Sequence, residues 1–162
     1  MDMNLDIALE LIAEVRKKAK EIGVPMVIAV VDAGGNLIAQ QRMDNALLVS
    51  IDISLNKAYT AVAVKIPTHD LASASQPGQP LFGIHNADGG RIVIFGGGFP
   101  LKQQDEIIGG IVFSVPWPGL NVLKAYRNII NESSYYWWWW SCRLLRSLCF
   151  AVGWYYFRNH FV

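Results

Sequence analysis

Between Val24 and Asp44 the chain reads VPMVIAVVDAGGNLIAQQRMD: an apolar run, a glycine-centred break and a second run. No other stretch restricts the possible folds so much. VIAVV has the length and branching of a buried strand, and Asp32-Ala33-Gly34-Gly35-Asn36 supplies the residues of a tight connection. LIAQQRM then returns with partial alternation, which predicts an antiparallel hairpin with Asp32 at the end of its first strand.

The flanking segments predict helices. Leu5, Leu9, Ile12, Val15, Ala19 and Ile22 recur at helical steps, with Asn4 placed to cap and Gly23 to stop the turn sequence. A second helix is expected from Leu48 to Val64, with Leu48, Ile51, Leu55, Ala58 and Val62 as its apolar face and Asp52, Asn56 and Lys57 as polar insertions. Pro67 ends it, and Thr68-His69-Asp70-Leu71 starts a short third helix that Thr68 is placed to cap. Ser75 to Gly90 is rich in glycine and proline and is expected to be largely irregular. Arg91 to Gly97 reads as an apolar strand, Phe99 to Glu106 as a hairpin connection, and Ile107 to Val115 as a further strand. Helix, two strands, helix, two strands is an α+β order with an antiparallel sheet, not a repeating βαβ unit.

Chemistry is less legible. The triple glycine of IFGGGFPL lacks a following GKS or GKT and opens no helix, so neither a nucleotide-triphosphate loop nor a dinucleotide fingerprint is supported. DAGGN leads into a strand, which again favours a turn over a phosphate cradle. His69, beside Asp70, is a candidate base or iron ligand, or else a surface group near a cap. His85 follows the PGQPLFGI loop and carries the same alternatives. Arg42, Asp44, Asp52 and Lys57 form either a buried ion network or solvated pairs. A net charge of +1 gives no electrostatic reason to expect nucleic acid. The acidic, amphipathic N-terminus does not resemble a secretory signal, so a cytoplasmic location is expected.

Several stretches taken together resemble one family. In order they are VVDAGGNLIAQQRMD, SIDISLNKAYTAVAV, QPGQPLFGI, GGRIVIFGGGFPL and EIIGGI. They resemble the haem-degradation and haem-binding family of GlcG- and HbpS-type proteins. DISLNKA, PTHDLAS and QPGQPLFG are especially similar to the C-terminal domain of PduO-type corrinoid adenosyltransferases. The resemblance implies a single, three-layer-like α+β domain, an antiparallel sheet with packed helices, assembled into homo-oligomers. It also implies haem as ligand, with cobalamin as an alternative, and an accessory or sensor role without catalysis. Other readings are an accessory subunit or enzyme in cobalamin-dependent glycerol or diol metabolism, and a structural oligomer whose ligand site is vestigial.

A porphyrin needs an apolar slot, cations for its propionates and an axial ligand. Arg42, Lys57 and Arg91 are candidates for the charge, and His69, His85 or Met43 for the iron. Gly97, in the triple glycine, is a candidate for the pocket wall. The first helix holds no histidine, so ligation from that helix cannot be carried over.

The resemblance covers residues 1–111 and stops there. Residues 112–162 diverge: Pro116 and Pro118 interrupt any strand, and YYWWWW opens a tail holding five of the six tryptophans. Cys142 and Cys149 lie in that tail without metal-ligand spacing. Its arginines disfavour a spanning helix, although an interfacial anchor remains an alternative. A reading-frame change after Ile111 is the preferred account. It fails if neither other frame of the nucleotide sequence restores a glycine-rich strand end and a helix.

Overall fold

The computed structural model describes residues 2–114. The elements run α1 (Leu5–Glu21), β1 (Val27–Asp32), β2 (Leu37–Arg42), α2 (Ser50–Val64), α3 (Thr68–Ala74), β3 (Gly98–Gln103) and β4 (Glu106–Ser114). Two hairpins, β1–β2 and β3–β4, lie side by side in an antiparallel sheet of order β2-β1-β4-β3. This is the α+β architecture expected from the order of segments.

Strand parity sets the layers. Ala29 and Val31 of β1 and Val112 of β4 point to one face, where they meet Ala58 and Val62 of α2. Gln40, paired with Ala29, faces the same way and donates to the Ile51 carbonyl and the Ser54 hydroxyl. Gln41 points to the opposite face, where its side-chain oxygen lies 3.4 Å from Arg16 of α1. The sheet is therefore sandwiched between α1 and α2. Because β1 is central and covered on both sides, Val27 to Val31 are all fully buried, which explains its unbroken apolar run. As expected, the Asn4 side chain accepts from the Ile7 N–H at 3.0 Å to cap α1, and Gly23 follows its end at φ 68°.

Three expectations are overturned. Arg91 to Gly97 is not a strand; it lies along α2, tied there by the Thr60 hydroxyl, which accepts from the Val93 N–H at 3.0 Å. The strand is the segment expected to be a connection: β3 begins at Gly98, and only Gln104 and Asp105 separate it from β4. Pro100 is tolerated within β3 because β3 is an edge strand. Thr68 does not cap α3, whose cap position is Pro67. Its hydroxyl instead accepts from the Gly98 N–H at 2.9 Å, so it satisfies the sheet edge.

The second helix also differs in its buried face. It begins at Ser50, and Leu48 is 74% exposed. Ser50, Ser54, Lys57, Ala58, Thr60, Ala61 and Val62 are buried, so small and polar residues dominate the contact. The cause is close approach. A Cβ at Gly98 would stand 2.6 Å from the Lys57 carbonyl oxygen, and one at Gly110 would stand 2.7 Å from that of Ala58. The sheet thus receives the helix backbone itself in a trough left by two missing side chains.

Lys65 closes α2 in the left-handed region, at φ 63° and ψ 17°. Glycine adopts that conformation without steric cost. Lys65→Gly is expected to stabilise the domain by about 0.5–1 kcal/mol, read as a higher denaturation midpoint in urea. An unchanged or lower midpoint would show that the cap carries no strain.

Candidate functional site

Segment 95–99 brings three of the six predicted site residues to one corner of the fold. Lys57 lies on the flank of α2 facing this segment. Its side chain is only 3% exposed, and its Nζ lies 4.3 Å from the centroid of the Phe95 ring. Gly97 covers it at φ 123°, a conformation open to glycine. A Cβ there would stand 2.8 Å from the Phe113 carbonyl oxygen and 3.3 Å from the Lys57 nitrogen. The Gly97 carbonyl accepts from the Phe113 N–H at 3.0 Å, which fixes the segment to the end of β4.

The contact continues through aromatic rings. Phe113 and Phe99 lie 5.5 Å apart, centroid to centroid, and Phe99 lies 5.8 Å from His69 at the start of α3. The His69 Nε2 is 3.4 Å from the Asp70 carboxylate, the neighbour expected to orient it. Lys57 and Gly97 thus meet Phe95 on the α2 side, whereas Phe99 and Phe113 share the parity of Ile111 and point to the opposite face of the sheet, where His69 joins them. Phe95 is 49% exposed.

The electrostatics of the corner centre on the amine. Among the described residues Lys57 has no hydrogen bond and no ion pair, and burial pushes its pKa down to about 8. Of the two alternatives for Arg42, Asp44, Asp52 and Lys57, the buried ion network does not form. Arg42 instead donates through Nε and Nη2 to the Ala46 carbonyl, at 3.1 and 2.7 Å.

The remaining predicted residues lie elsewhere. Arg91 places its guanidinium carbon 3.6 Å from the Tyr59 ring centroid. Tyr59 packs on Gly35 of the β1–β2 turn, and its hydroxyl, hydrogen-bonded to the Asp88 carboxylate, is held above the usual phenol pKa. His85 is exposed on the short 3₁₀ turn Ile84–Asn86. Asp32 is a turn residue, as expected. Its Oδ1 accepts from the Gly34 and Asn36 N–H groups at 2.8 and 2.9 Å, and the bond from Asn36 leads in lowering its pKa.

Residue-type reasoning missed Phe95, which meets Lys57, and Phe99 and Phe113, which lie beside His69. The only available signal was the triple glycine between Phe95 and Phe99, which shows that backbone, not side chains, must pass Lys57. Two clefts lie at the other end of the β3–β4 hairpin. They are lined by residues such as Ala33, Lys65, Lys102 and Glu106, and none of the predicted site residues borders them. Their mixed charges and lack of convergent donors make them poorer candidates than the aromatic cluster beside His69.

Comparison with known proteins follows the same segments. Residues 3–115 match the family described as haem degrading protein HbpS-like. A 15.0 kDa protein from the dhaT-dhaS intergenic region of Citrobacter freundii is 47% identical over 109 residues, 67% of this chain and 77% of that protein. The corrinoid adenosyltransferase PduO of the same organism is 45% identical over 97 residues, 60% of this chain but only 29% of that enzyme. Among solved structures, the PduOC:haem complex superposes with a TM-score of 0.60 at 40% identity, covering 62% of this chain and 73% of that one.

Proposed function

Because the chain belongs to the HbpS-like family, we propose that it is a haem-binding accessory or sensor protein without turnover of its own. The observation that carries this reading is the cluster of His69, Phe99 and Phe113, with Lys57 and Phe95 at the same corner on the other side of the sheet. Its parts fit the group: aromatic surface for the macrocycle, one imidazole for the iron, and an amine for a propionate. A haem iron needs few protein ligands because the porphyrin supplies four of them. This suits a chain in which the described residues contain no group of three His, Cys, Asp or Glu able to hold a bare ion.

In this reading His69 is the axial ligand and Lys57 the propionate partner, with Gly97 and Phe95 forming the wall. Exposed His85, Arg42 and Arg91 are secondary candidates. Haem seen in the PduOC complex supports the reading. We expect His69→Ala to weaken haemin binding at least tenfold and to alter the Soret band, with His85→Ala unchanged. Unaltered spectra in both variants would overturn the ligand assignment.

Kinship with PduO favours a second reading, an accessory role in cobalamin-dependent glycerol or diol metabolism. Saturable binding of cobalamin in place of haemin would select it. A homo-oligomer is proposed on the exposed run Leu47, Leu48 and Val49 before α2, and light scattering of the purified protein tests it. No helix among the described residues is long and apolar enough to cross a membrane. The divergent tail, its cysteines and the suspected frame change after Ile111 lie outside the described residues, apart from Val112, Phe113 and Ser114, which complete β4. The frame change stands as a proposal, but because the family match runs to residue 115 its point is moved from directly after Ile111 to beyond residue 115.

A further inference from the structure

Segment 91–97 crosses α2 without belonging to the sheet, and its attachments are few. The Val93 N–H donates to the Thr60 hydroxyl at 3.0 Å, and the Gly97 carbonyl accepts from the Phe113 N–H at 3.0 Å. Between these two ties, Ile94, Phe95 and Gly96 form an arch that makes no hydrogen bond to any described residue. The arch runs out through consecutive glycines, and Gly97 stands at φ 123°, where no side chain restricts backbone rotation.

What the arch covers is Lys57. A lysine normally keeps its charge in water and buries only its stem, yet this residue is 3% exposed. Its Nζ lies 4.3 Å from the centroid of the Phe95 ring, and that ring is itself half exposed. The amine thus sits directly beneath a solvent-facing ring on a weakly tied arch. No titratable group of α2, α3, β3, β4 or the arch acts on it, since burial alone moves its pKa. His69 and Asp70 pair with each other at the start of α3, where His69 meets Phe99, and Arg91 is stacked on Tyr59. One ring face offsets only part of the cost of keeping an unpaired ammonium out of water.

We propose that residues 94–96 are a pH-operated strap, which closes Phe95 over the neutral Lys57 amine and lifts when that amine takes up a proton. The ties at Val93 and Gly97 act as its hinges, so α2 and the sheet stay in place. The sign follows from the two environments of the amine. Beneath the strap it titrates at about 8, and in water at 10.5, so protonation favours the lifted form by about 300-fold. The lifted fraction rises by about tenfold per pH unit as pH falls from 10.5 to 8, then levels off. Near neutral pH the strap offers a cation to solvent at the α2 corner, and in alkali it withdraws it.

The inference goes beyond haem binding and does not depend on it. Chymotrypsin cleavage after Phe95 in the full chain tests it, because cutting a strap requires its lifted form. Peptide mass mapping gives the rate from pH 7 to 10. Dividing by the rate for a synthetic IVIFGGG peptide removes the pH dependence of the protease itself. We expect the normalised rate at pH 8 to exceed that at pH 10 by more than about tenfold, with at most about a twofold further rise at pH 7. Lys57→Met should give a flat profile. Cleavage after Phe113, which is buried in β4, should be at least about tenfold slower at every pH. Equal rates at the two sites would mean that the whole domain opens, and would overturn the proposal. A flat profile in the parent would overturn it too, whether or not Lys57→Met folds, as would the parent's slope persisting in Lys57→Met.

Discussion

Gly98→Val is expected to destabilise the domain by about 3 kcal/mol, with Gly98→Ala costing roughly 2 kcal/mol. Gly98 does not have a positive φ, so backbone conformation contributes little to that cost. The cost is steric. A Cβ at this position would lie 2.6 Å from the Lys57 carbonyl oxygen, 2.9 Å from the Thr68 Cγ2 and 3.1 Å from the Lys57 carbonyl carbon. Two of these three atoms belong to the backbone of a helix packed across three strands, so they cannot rotate away. Relief requires lifting α2 from β3, which would strain the bond from the Gly98 N–H to Thr68 and uncover Val112. Urea unfolding measures the effect. A Gly98→Ala variant as stable as the parent would show that α2 does not lie this close to the sheet.

The second large effect concerns pH. Lys57→Met keeps the buried stem and removes the charge, and it should stabilise the protein near pH 7 by on the order of 2 kcal/mol. The sign follows from proton linkage. The folded-state pKa of Lys57 is depressed to about 8 from 10.5. Below pH 8 the amine is protonated in both states, and folding bears the full cost of burying the charge. Between pH 8 and 10.5 the unfolded chain holds more protons than the folded one, so stability rises with pH. Above that window the amine is neutral in both states and the cost is gone. The parent should therefore gain stability from pH 8 to 10 relative to Lys57→Met. Parallel stability profiles for the two proteins would mean that the amine is solvated or paired in solution.

How far the sequence foretold these features depends on which interactions set each one. α1 and the β1–β2 hairpin were legible because local rules decide them: helical spacing with an Asn4 cap, and an Asx-type turn closed by Asp32. α2 was located, but its buried face was misjudged, because apolar spacing assumes that side chains make the contact. At Gly98 and Gly110 the backbone makes it, so small residues outrank Leu48. The apolar run at Ile92 to Phe95 mimicked a strand for a related reason. It covers α2 through Thr60 and Phe95 without pairing with any strand.

The site was half legible. Lys57, Gly97 and His69 were singled out by residue type, and the fold brings them to one corner, Lys57 beside Gly97 and His69 beside Phe99. Arg42, Arg91 and His85 were chosen on the same grounds but serve or lie elsewhere. Nothing in their local sequence reveals that Arg42 turns back to the Ala46 carbonyl or that Arg91 covers Tyr59. Long-range packing decides those roles.

The central claim is that the chain holds haem at the corner around His69, and titration of the purified chain with haemin tests it most directly. The account predicts a saturable Soret shift with a defined stoichiometry, weakened in His69→Ala and, through loss of the propionate partner, in Lys57→Met. A correctly folded protein that shows no saturable shift would contradict it.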